Sequence, residues 1–68
     1  MKLSARNQLK GTVKAIVEGA VEAQVTIDCA GQDITSVVTV AAVKDLGLQV
    51  GSPVTAVIKA DHVMLAID

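Results

Sequence analysis

At 68 residues the chain is expected to form one domain, near the lower size limit for folding without disulfides or metals. Cys29 is the single cysteine and His62 the single histidine, which excludes an intrachain disulfide and leaves too few soft ligands for a zinc cage of about four. Net charge is −1, aromatic content is zero, and hydrophobic content is 51%; no run nears the roughly 18 apolar residues of a membrane span, and the N-terminus lacks a signal-peptide core, so a cytoplasmic protein with no membrane partner is expected.

Leu9, Gly11, Val13, Ala15 and Val17 alternate with Lys10, Thr12, Lys14 and Ile16, the period of a strand. Gly11 within this run suggests a bulge or a sharp bend. Glu18-Gly19 joins it to a second run, with glycine expected to supply the positive φ of a tight turn. In that second run Val21, Ala23, Val25, Ile27 and Cys29 alternate strictly with Glu22, Gln24, Thr26 and Asp28. The pair reads as a β-hairpin.

Ala30-Gly31-Gln32-Asp33 reads as another turn, leading into a strand over residues 34–38. The period then changes. Thr39 can cap a short helix over Val40 to Leu46, and Gly47 stands where a left-handed C-terminal cap belongs. After Gly51-Ser52-Pro53, residues 54–59 and 63–67 form two further expected strands around an Ala60-Asp61-His62 turn. The expected class is mainly β: a five-stranded OB-like barrel with one short helix between strands 3 and 4. So much Val, Ile, Leu and Ala in so short a chain exceeds what a small barrel can enclose, and a homo-oligomer is expected.

Charge is unevenly placed. Lys2, Arg6, Lys10 and Lys14 stand in the first 17 residues with no acid among them. Such asymmetry marks an anion-binding face or, equally, a lysine-protected strand edge. Catalysis finds little support: Ser4, Ser36 and Ser52 have only His62 as a candidate base, and no triad-like spacing connects them. Nucleic-acid binding, the usual suggestion for an OB-like barrel, lacks the aromatic rings on which bases stack and also runs against the negative net charge.

Ser4-Ala5-Arg6-Asn7 supplies a hydroxyl, a fixed cation with a planar donor fork, and an amide in one short stretch. A tetrahedral oxyanion accepts hydrogen bonds at every oxygen, so its site is expected to be lined by donors and to lack carboxylates. The helix start near Thr39, with small Ala41 and Ala42, offers unpaired N–H groups, and Lys59 offers a second cation. Hydrogen bonding at a strand entry explains the Ser-Ala-Arg-Asn stretch equally well.

Ser4-Ala5-Arg6-Asn7-Gln8-Leu9-Lys10-Gly11-Thr12-Val13 resembles the S-A-R-N-x-L-x-G-x-V signature that opens the Mop domain of molybdate-binding proteins, the molbindin family. The segments 39–48 and 54–60 are similar to that family's short helix and its lysine-bearing strand, so the resemblance spans essentially the whole chain, as one Mop domain over residues 1–68. It implies a TOBE-like, OB-like barrel that binds molybdate or tungstate without an organic cofactor and without catalysis. Storage or homeostasis of molybdenum in the cytoplasm is the implied role. It also implies hexamers built as trimers of dimers, with anions between subunits. Carried over by motif, the site takes Ser4, Arg6, Lys59 and Ala60 from one subunit and Thr39 and Ala42 from a neighbour; Ala42 stands where some relatives have serine, leaving only its backbone N–H to contribute. An OB-type nucleic-acid binder and a purely structural oligomerisation domain are the alternatives.

Overall fold

The computed structural model describes residues 2–68. Its elements are β1 (Asn7–Glu18), β2 (Glu22–Cys29), β3 (Gln32–Thr39), α1 (Val40–Leu46), β4 (Pro53–Ile58) and a 3-10 turn, Ala60–His62. The four strands form one antiparallel sheet in the order β3-β2-β1-β4. Thus β1 is central: residues 7–12 pair with β4, and residues 12–18 pair with β2.

β2 follows its alternation closely. Ala23, Val25, Ile27 and Cys29 are buried while their polar neighbours face outward, and only Val21, in the preceding turn, departs by being exposed. In β1 the alternation breaks. A bulge lies between Val13 and Ala15, at Lys14, and not at Gly11. An extra residue in one strand reverses the parity of all that follows. Val13 is therefore buried, but beyond the bulge Ile16 packs on the core and Val17 points to solvent, the reverse of the simple period-two expectation.

Gly11 is required for a different reason. A Cβ there would stand 2.5 Å from the Asp28 carbonyl oxygen and 2.8 Å from the Cys29 sulfur, so the strands approach too closely for any side chain. The first turn also differs from expectation. It comprises residues 19–21, is closed by the Gly19 N–H donating to the Glu22 carbonyl at 2.7 Å, and makes no use of a positive φ at Gly19. The positive φ values belong to the second turn, at Ala30 (53°) and Gly31 (87°), the conformation of a two-residue type I′ hairpin. Its Asp28 side chain accepts the Gly31 N–H at 2.9 Å.

α1 forms over the expected residues. Thr39 is its N-cap, Gly47 at φ 66° closes the C-terminus, and the Gly47 and Leu48 N–H groups donate to Lys44 and Val43 carbonyls, each at 3.0 Å. Val43 buries its side chain in the core with Val13, Ala23, Val25, Ile27 and Cys29. The Val40 N–H donates to the Val21 carbonyl at 2.8 Å, tying the helix start to the first turn.

The fifth strand expected over residues 63–67 is not formed, and the sheet does not close. Sequence pattern marks a segment fit for a sheet, but a strand exists only where a ladder partner is within reach. The 3-10 turn at Ala60–His62, closed by His62 and Val63 N–H groups on the Lys59 and Ala60 carbonyls, is followed by a tail whose Met64, Leu65 and Ile67 are 92%, 93% and 98% exposed. An apolar cleft of about 410 Å³ lies between β3 and β4, lined in part by Ile34, Val38, Leu48, Val54, Ala56 and Ile58.

Candidate functional site

Pairing of Asn7 with Ile58 closes the β1–β4 ladder and brings two chain segments together. Arg6 lies just before that pair and Lys59 just after it, so 53 positions of separation in sequence become adjacency at one sheet end. Gln8 Nε2 donates to the Ala5 carbonyl at 2.9 Å and fixes the path of the entering chain. The result is an open groove lined by Ser4, Ala5, Arg6, Val57, Lys59, Ala60 and Asp61, with a volume of about 550 Å³. Four of the six expected site residues, Ser4, Arg6, Lys59 and Ala60, thus share one groove. Both cations are exposed, and among the described residues Arg6 has no ion-pair partner.

Asp61 also lines this groove, contrary to the expectation of a carboxylate-free site. Its Oδ2 lies 3.8 Å from Lys59 Nζ, with both side chains about two-thirds exposed (67% and 71%). Sequence reasoning placed Asp61 in a turn and missed it. The available signal was its position two residues beyond Lys59, where the 3-10 turn curls its carboxylate back toward the ammonium.

Thr39 and Ala42 lie elsewhere in the chain. Thr39 ends β3, an edge strand, while Lys59 follows β4, the opposite edge, and neither Thr39 nor Ala42 lines the groove. The Ala42 N–H, expected as a donor for a ligand, donates to Thr39 Oγ1 at 3.0 Å instead. A hydroxyl accepts and donates at once, so the Thr39 O–H hydrogen keeps its capacity to donate outward. Within one chain the two halves of the expected site stay apart. Lys14, expected on the solvent face, is exposed and pairs with Asp33 of β3 at 3.1 Å, reaching across the intervening β2.

The TOBE domain family model matches residues 3–65. A probable molybdenum-pterin-binding protein of Haemophilus influenzae is 51% identical over 69 residues, covering all of both chains. This chain belongs to the molbindin, or Mop, family. Molybdenum-pterin-binding protein 3 of Clostridium pasteurianum is 47% identical over 96% of this chain and 97% of its own length. Among solved structures, a molybdate-binding protein from Sporomusa ovata superposes with a TM-score of 0.94 at 40% identity, over 98% of this chain and all of that one. The molbindin relationship therefore extends to the tail: the solved relative is matched along its full length, including the stretch where this chain leaves the sheet. No helix among the described residues is long and apolar enough to cross a membrane.

Proposed function

We propose that this molbindin binds molybdate, and tungstate equally, as a cytoplasmic store that buffers molybdenum and catalyses nothing. The observation that carries this reading is the convergence of Arg6, Lys59 and Ser4 on one groove. A doubly charged oxyanion there meets two cations and a hydroxyl, and charge-assisted hydrogen bonds are about twice as strong as neutral ones. The names of the relatives point to molybdenum. Several of them also mention a pterin, but a flat heterocycle is gripped best by aromatic stacking, and the chain contains no Phe, Tyr or Trp. The bare oxyanion, without an organic cofactor, is the better ligand for these side chains.

The groove is too open to strip water from a small anion, so the site is completed by a second copy. Ser4, Arg6, Lys59 and Ala60 come from one subunit, and the Thr39 hydroxyl with the small Ala42 beside it comes from the neighbour. The exposed tail supports such an assembly. Residues 63–67 of one copy enter the apolar cleft between β3 and β4 of another, completing the five-stranded OB-like barrel and burying Leu65 and Ile67. The assembly is a hexamer, a trimer of dimers.

Equilibrium dialysis against molybdate tests the site. Arg6→Ala is expected to weaken binding roughly 10- to 100-fold, the value of one charge-assisted hydrogen bond of about 1.5–3 kcal/mol. Lys14→Ala, on the distant Asp33 pair, is expected to leave affinity unchanged. Equal losses in the two variants would put the site elsewhere.

A further inference from the structure

The groove contains a charge that an anion site has no evident use for. Asp61 lines it beside Lys59, Ser4 and Arg6, and its carboxylate reaches Lys59 Nζ at 3.8 Å. An ionised carboxylate only accepts hydrogen bonds, and so does every oxygen of a fully deprotonated oxyanion. The two anions share the attraction of one ammonium, and the nearby carboxylate repels the ligand. Whichever way Asp61 turns when the groove fills, a like charge stays close to the ligand, because the 3-10 turn of Ala60–His62 holds its backbone two residues from Lys59.

We infer that Asp61 is a specificity-determining residue, a tethered competitor that occupies Lys59 in the empty groove, lowers affinity for fully deprotonated oxyanions and favours those that carry a hydroxyl. This rests on the oxyanion reading of the groove. Molybdate and tungstate have no proton at neutral pH and meet Asp61 only as a repulsive neighbour. Phosphate carries at least one O–H at the same pH, and that group donates to the carboxylate. Asp61 therefore narrows the margin by which molybdate outcompetes phosphate and keeps bound molybdate readily exchangeable. Exposure of the pair limits the effect, since solvent screens both the attraction and the repulsion.

The test is titration calorimetry of the full chain with molybdate and with inorganic phosphate at neutral pH, using wild type, Asp61→Asn and Asp33→Asn. Asparagine keeps the size of Asp61 and removes its charge; Asp33→Asn changes net charge identically, on the Lys14 pair of the β1–β3 surface. Asp61→Asn is expected to bind molybdate about 1.5- to 5-fold more tightly, a range set by exposed charge pairs, with no matching gain for phosphate. Asp33→Asn is expected to stay close to wild type. Unchanged molybdate binding by Asp61→Asn overturns the inference, and weaker binding overturns it and assigns Asp61 a role in holding Lys59 in place, while wild-type binding leaves the molybdate function standing. An equal gain in Asp33→Asn also overturns it, as a general charge effect. Molybdate binding by neither wild type nor Asp61→Asn overturns the inference together with the reading on which it rests.

Discussion

Thr39 Oγ1 accepts the Ala42 N–H at 3.0 Å, so the hydroxyl that starts the helix is also the side chain proposed to face the anion. Thr39→Val keeps shape and removes both functions. Loss of the cap is expected to cost about 0.5–2 kcal/mol in urea unfolding, and molybdate affinity is expected to fall as well. Thr39→Ser should restore both. Full affinity in Thr39→Val, measured below its unfolding range, would show that the hydroxyl serves the helix alone.

Gly11 sits where β1 approaches β2 closely, with no room for a Cβ beside the Asp28 carbonyl. Because the nearest obstacle is backbone, it does not yield as a flexible side chain does. Gly11→Ala is expected to lose at least the 1–3 kcal/mol typical of overpacking, about as much as a small domain can tolerate. Thermal unfolding by circular dichroism reads this directly. An unchanged Tm would mean that the two strands separate more readily than their packing implies.

Much of the fold was legible in the sequence, and the misses have distinct causes. Ala23, Val25, Ile27 and Cys29 are buried as their alternation requires, and Thr39 and Gly47 bound α1 as capping chemistry requires. The bulge at Lys14 was not legible, since residue types there are compatible with an unbroken strand; it shows only in Ile16 turning inward and Val17 outward. The tail 63–67 has strand character without a strand, because hydropathy records that a segment wants burial and is silent on which surface provides it. Of the candidate site, Ser4, Arg6, Lys59 and Ala60 were expected from their motif, and they line one groove. Asp61 was missed because its relation to Lys59 is set by a 3-10 turn too short to leave a periodic signal. The Ala42 N–H was expected to serve the ligand, but the N-cap hydrogen bond to Thr39 Oγ1 takes it, a consequence of the capping chemistry that the site expectation overlooked.

A site divided between subunits makes a prediction about mixed assemblies. Arg6→Ala and Ala42→Glu each disable it from one side, the second by filling space and placing a like charge beside the anion. Neither homo-oligomer is expected to retain molybdate at this site. In a dimer containing one copy of each, both lesions fall in one site and the other receives Arg6 and Ala42 intact, as an isologous interface requires. Co-expression with two purification tags, followed by molybdenum analysis of the doubly tagged hexamers, is expected to recover about a quarter of the wild-type stoichiometry, since under random mixing about one shared site in four receives both intact residues. No recovery would place all donors in one chain.

Titration calorimetry with molybdate, tungstate, sulfate and phosphate tests the central claim most directly. Molybdate and tungstate are nearly equal in size and both doubly charged at neutral pH, so they are expected to bind with similar affinity. Sulfate has the same charge but is smaller, and a rigid cradle leaves some of its oxygens short of donors; phosphate presents a hydroxyl to groups that are mostly donors themselves. Both are expected to bind much more weakly than molybdate. Equal affinity for all four anions, or no binding of molybdate at all, would contradict the account.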